Sequence, residues 1–151
     1  MSTYIEGKHK RTFKQLKKHV SAISFAEKCY LQNELANSWA KNQRFTISDH
    51  LQEEIDNGTR LWDEEVAKHT ISNFWDTLIE YNERKLGFKP KTRRVLLRSQ
   101  KTMRFNGRTV QMCFVVQLGC MTVVTSYPCA VDDRHETLND KLYCNNLDII
   151  Q

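Results

Sequence analysis

Apolar positions along this 151-residue chain change their period once, near Pro90. Before it they recur at three and four residues. Phe13, Leu16, Val20 and Ile23, followed by Leu31, Leu35 and Trp39, predict one long helix or two abutting ones over about Thr12 to Ala40, with a basic outer face. Asn42 to Thr46 connects to a short amphipathic helix with Ser48 as N-cap, Leu51 and Ile55 on its inner side and Gly58 as its stop. A further helical segment is expected from Arg60 to Lys68. Thr70 then offers a cap for a stronger helix whose stripe is Ile71, Phe74, Trp75, Leu78 and Ile79. Arg84 and Lys85 suit its negative end, and Gly87 ends it.

Beyond Pro90 the period becomes strand-like. Arg94-Val95-Leu96-Leu97-Arg98 runs on toward Met103-Arg104-Phe105, Asn106-Gly107 supplies a type I′ turn, and the chain returns from Arg108 to Gln117. Val110 to Val116 is almost wholly apolar, as a strand buried on both faces would be. Leu118-Gly119 makes a second turn, and Cys120 to Tyr127 a third strand ended by Pro128. The predicted fold is α+β, with N-terminal helices packed on a C-terminal antiparallel β-meander. It forms a single domain over 1–151: helices about 10–87, sheet about 93–128, and a tail 129–151 in which Leu147 to Ile150 adds an edge strand or docks.

Composition narrows the class. Hydrophobic residues at 40% and charged residues at 27%, with two prolines and five glycines, describe a folding chain rather than a disordered one. No stretch approaches the roughly 20 apolar residues of a membrane span, and Met1 to Lys10 is polar where a secretory signal is apolar. A cytoplasmic protein with no membrane partner is expected. Five widely spaced cysteines without a C-x-x-C pair fit thiols in a reducing compartment, several acting as small hydrophobes.

Charge is segregated. Lys8 to Lys18 carries six lysines and arginines and no carboxylate, Arg84 to Arg108 carries ten and none, and Asp49 to Glu83 holds ten carboxylates against Arg60 and Lys68. Such segregation suits a basic face for a polyanion, here RNA, free or on the ribosome, with Lys14, Lys17, Lys18, Arg93, Arg94, Lys101, Arg104 and Arg108 as phosphate contacts. The plainer alternative is that solvated strands and helix ends simply carry lysine.

Several chemistries are excluded. The glycines are too scattered for a phosphate-cradling loop, and no two histidines fall at i, i+4 with cysteines at ligand spacing, so neither a nucleotide cofactor nor a metal is indicated. Cofactor-free acid–base chemistry on a basic surface remains, and RNA cleavage by attack of the 2′-hydroxyl fits it. Thr125 and Tyr127 stand two apart, on one face of the last strand, and Arg94, Leu96 and Arg98 share a face of the first.

The ending Val123-Val124-Thr125-Ser126-Tyr127-Pro128, after an Asn-Gly hairpin and a helical half bearing a histidine among lysines, resembles the barnase, EndoU, colicin and RelE-like nuclease superfamily. That resemblance implies a metal-independent, cofactor-free endoribonuclease of a phage or bacterial toxin system that leaves a 2′,3′-cyclic phosphate. Carried onto this chain, its catalytic group is His19, Arg98, Thr125 and Tyr127, with Arg94 as substitute for Arg98 and His50 or His69 as second histidine. Each residue also has an ordinary reading. His19 borders an apolar stripe, Arg98 suits an ion pair, Thr125 and Tyr127 are good strand formers, and Trp39, Trp62 and Trp75 are packing anchors, Trp39 being the one suited to stack on a base. The alternative functions are a non-catalytic RNA- or ribosome-binding protein, and a protein–protein modulator of a host enzyme, or a chain with a protein inhibitor, acting through the acidic helices.

Overall fold

A computed structural model describes residues 13–133 and 143–150. The chain opens with strand β1, Phe13–His19, and a 3-10 turn, Val20–Ala22, before helix α1, Phe25–Asn42. Strand β2 is Thr46–Ile47, helix α2 Asp49–Asp56, helix α3 Glu64–Ser72 and the short α4 Phe74–Thr77. Four strands follow: β3, Leu78–Leu86; β4, Thr92–Phe105; β5, Arg108–Gln117; and β6, Thr122–Ala130. They form one six-stranded sheet in the order β1-β3-β4-β5-β6-β2, antiparallel except where β2 runs parallel to β6. The class is α+β, as the period change predicts.

Local chemistry sets the helix ends. Ser24 and Glu27 close a reciprocal capping box at the start of α1, each side chain accepting from the other residue's amide, at 3.1 and 2.9 Å. Ser48 accepts from the Leu51 amide, and Gly58, at φ 76°, follows the helix end as expected. Asp63 caps α3, accepting from Val66. The Asn106-Gly107 turn has φ of 51° and 78°, both left-handed as a type I′ turn requires.

Two predicted helical stretches are strands. Residues 13–19 satisfy a helical period through Phe13, Leu16 and Val20. As a strand, the positions facing the helices are Leu16 and Lys18, and a lysine at an inward position hides the alternation. Thr70 caps nothing: it is buried in the last turn of α3, donating to the Val66 carbonyl at 2.7 Å. The stripe of Ile71, Phe74, Trp75, Leu78 and Ile79 is real only as far as Thr77. There the backbone turns extended, and Tyr81 and Glu83 face the helices while Glu80 and Asn82 face away. Gly87 serves a hairpin. Pro128 lies inside β6 opposite Met112, a position where β6 has no partner on its outer side and loses nothing by lacking an N–H.

All four helices cover one face of the sheet. Leu31 and Leu35 of α1, Leu51, Ala67 and Phe74 pack on Tyr81, Val95, Leu97, Met112, Phe114, Val116 and Val123. Phe45, Trp62 and Phe114 meet edge to face, with centroids 5.2 to 6.2 Å apart, and Trp39 leans on Phe45. Trp39 and Trp62 therefore belong to the core. Trp75 instead sits at its rim, against the exposed Phe25 and under Lys28. The tail docks, as Leu147 to Ile150 suggests: Ile149 is buried and its amide donates to Glu27.

Candidate nucleic-acid interface

Side chains alternate along strands, so the register fixes which residues look away from the helices. Four rows cross that second face. The first holds Gln15, Arg84 and Thr92; the next Lys17, Asn82, Arg94, Gln117 and Thr122; then His19, Glu80, Leu96, Val115 and Thr125; then Arg98, Cys113 and Tyr127. The face is graded. Around its last two rows lies a small apolar cluster of Leu96, Cys113 and Cys129 with Ile79, Val115 and Tyr127, while its first two are wholly polar and hold the cations Lys17, Arg84 and Arg94.

The residues singled out by the nuclease resemblance all stand on this face, but they do not converge. His19 and Thr125 occupy one row with three strands between them, four spacings of about 4.8 Å or roughly 19 Å. His19 serves its own turn: Nδ1 accepts the Ser21 amide at 3.2 Å, and the ring meets Tyr143 edge-on at 5.6 Å. Arg98 binds protein backbone. Its Nη2 donates to the Ala130 and Val131 carbonyls and Nη1 to that of Asp133, which clamps the chain as it leaves β6, while Nε donates to the Gln111 side chain at 2.6 Å. The Tyr127 hydroxyl is pushed well above the usual tyrosine range, first by burial and then by Cys113, Cys129, Glu80 and Asp133, so it stays protonated. Of the two other histidines considered, His50 is exposed and beside Glu54 at 3.6 Å, and His69 lies in α3 on the helical side of the molecule.

The predicted phosphate contacts divide three ways. Lys18 is buried on the helix side, donating to Glu27 at 2.9 Å and to the Leu147 carbonyl. Arg93 also faces the helices, bonded to Glu34 at 2.8 Å and Tyr81 at 3.1 Å. Both charges are used inside the fold. Lys101, Arg104 and Arg108 lie at the far end of the β4–β5 hairpin, where Arg104 staples the turn through Thr109 and the Gly107 carbonyl. Lys17 and Arg94 remain on the second face, Lys17 beside Glu80 at 3.7 Å. The backbone of Lys14 pairs with Lys85; its side chain lies outside the described residues.

Arg84 and Lys89, which the helical reading of 70–87 conceals, complete the site. Arg84 and Arg94 are diagonal neighbours across β3 and β4, and with Lys89, Leu86, Pro90 and Thr92 they line a concavity of about 290 Å³. Burial, and then the charge of Arg84, push the Arg94 guanidinium below its usual range. Arg94 forms no ion pair with a carboxylate among the described residues, and its Nε is buried without a partner, as is Oδ1 of Asn82 beside it in the row. Buried groups left this way each cost about 1–3 kcal/mol. The row has hydrogen-bonding capacity to spare. The described residues contain no cluster of metal-ligating side chains and no helix long and apolar enough to cross a membrane.

Fold and site together define an α+β domain with one helix-covered sheet face and one face that is cationic at one end. Comparison with family models, curated proteins and solved structures returned no match.

Proposed function

We propose that this chain is a non-catalytic RNA-binding domain that takes the phosphate backbone at the cationic end of its second sheet face. One observation carries this reading. Arg94, half-buried beside Arg84 in a concavity, has no carboxylate among the described residues. Two guanidiniums held together repel, and a phosphate oxygen accepting from both removes that repulsion. Lys89 extends the positive field at the mouth of the concavity, and Lys17, beside Glu80, stands in the same row as Arg94. Binding has more support than cleavage, because His19 stands roughly 19 Å from Thr125 and Arg98 is bonded to backbone carbonyls.

Association with a short oligouridylate tests this across a salt series. Arg94→Gln is expected to weaken binding and to reduce the slope of log K against log salt by about 0.7, the value for one single-strand phosphate contact. Arg108→Gln, at the far end of the hairpin, leaves both unchanged. Total cellular RNA incubated with the protein in chelator stays intact. Discrete 2′,3′-cyclic phosphate ends that disappear with His19→Ala would return the chain to the nuclease class.

A further inference from the structure

We propose that the β3–β4 hairpin selects single-stranded RNA by stacking an unpaired base on Phe88, next to a phosphate held between Arg84 and Arg94. The inference rests on the RNA-binding reading and adds a specificity to it. Phe88 is fully solvent-exposed, unlike Phe25, whose ring rests on Trp75. It lies in sequence between Leu86 and Lys89, both of which line the concavity. The loop presenting it is tight. Gly87 takes φ 55°, the Lys89 amide donates to the Leu86 carbonyl at 3.0 Å, and Lys85 Nζ donates to the Lys89 carbonyl at 3.3 Å. Pro90 fixes the exit of the loop through its locked φ.

An aromatic ring held in water beside a phosphate pocket matches how single strands are bound, with cations tracking the backbone and rings receiving bases. Duplex bases are already stacked on one another and leave no face for Phe88, so the ring discriminates by strandedness rather than by sequence. An anionic membrane also attracts an exposed phenylalanine among lysines. Yet one ring and a half-exposed Leu86 give little apolar insertion, and stable anchoring takes stronger signals. The concavity instead offers the guanidiniums of Arg84 and Arg94 to a discrete phosphate.

The test compares wild type with Phe88→Ala, Phe88→Leu, Phe88→Trp and Arg94→Gln, each checked for an unchanged thermal melt. The probes are a labelled oligouridylate, its duplex with oligoadenylate, and vesicles of phosphatidylserine and phosphatidylcholine. Phe88→Ala and Phe88→Leu are expected to weaken single-strand binding by roughly five-fold to a hundred-fold, the loss of one stacked base. Duplex binding stays as it was. Phe88→Trp restores affinity, and the new indole is quenched by RNA. Wild-type affinity in Phe88→Ala, with both RNA forms weakened by Arg94→Gln, overturns the stacking and leaves the RNA reading standing. Failure of the wild type to bind either RNA overturns the RNA reading itself. Vesicle binding that Phe88→Leu preserves, without a preference for single strands, overturns both in favour of a membrane surface.

Discussion

Lys18 and Glu27 show how a single residue's charge is spent. Lys18 enters the helix-side layer from β1 and meets Glu27, which also accepts from the Ser24 and Ile149 amides. Burial acts to raise the Glu27 pKa, but the Ser24 amide, Lys18 and the Ile149 amide outweigh it, so the carboxyl sits below its ordinary 4.5. A carboxyl whose folded pKa is depressed contributes stability above its unfolded pKa, and that stability is lost as pH falls through the lower folded value. Wild type is therefore expected to lose stability below about pH 4.5 in urea melts taken across pH. Glu27→Gln should flatten that part of the curve and lower stability at neutral pH by roughly 3–5 kcal/mol, because Lys18 is left buried without its counter-charge. A Glu27→Gln profile parallel to wild type would remove Glu27 as the group responsible.

At the scale of elements, Arg98 holds the end of β6 as a three-pronged clamp. Lysine has the charge but not the fork. Arg98→Lys is expected to lower stability by about 1–3 kcal/mol while leaving RNA affinity where it was, measured by thermal melts and by the oligouridylate titration. A selective loss of RNA affinity in a protein of unchanged stability would instead make Arg98 a ligand contact. The elements also show what the sequence could and could not disclose. Asn106-Gly107, Ser48 and Gly58 act through their own backbones, so the turn, the cap and the stop were legible. The strand nature of β1 and β3 was not. Their inward positions include Lys18 and Glu83, which are tolerated because Glu27 of α1 meets Lys18, while Lys91 beyond the hairpin turn and Tyr81 two residues back on β3 meet Glu83. That misreading hid half the site. Arg94 and Lys17 were visible as basic residues, whereas Arg84 passed for a helix-terminal charge, and Lys18 and Arg93 seemed available when distant carboxylates had already taken them.

For the whole molecule, the period change near Pro90 marks the last stretch of meander rather than the border between helices and sheet. Chain from both halves builds one layer, with β1 and β3 joining the meander from outside it. The sheet thereby gains a polar end that the predicted three strands lack: the row from Lys17 through Asn82 and Arg94 to Gln117 and Thr122 exists only once β1 and β3 are in place. The same arrangement leaves His19 on β1 separated by three strands from Thr125 and Tyr127 on β6, with Arg98 on β4 between them.

The tail's bridge to β1 bears on how this protein behaves in company. The Cys144 amide donates to the Lys17 carbonyl at 2.7 Å, and Tyr143 pairs in parallel with Lys17, so one outer margin of the sheet is already engaged by the chain's own end. The opposite margin has β2 for two residues and then Pro128. Exposed margins template strand addition from neighbouring molecules, and short covers and prolines prevent it. Deleting residues 143–150 is expected to yield thioflavin-positive assemblies and early-eluting species where the full chain gives neither. If the full chain binds RNA as proposed, its covered margins let several copies sit side by side on one long strand without their sheets joining.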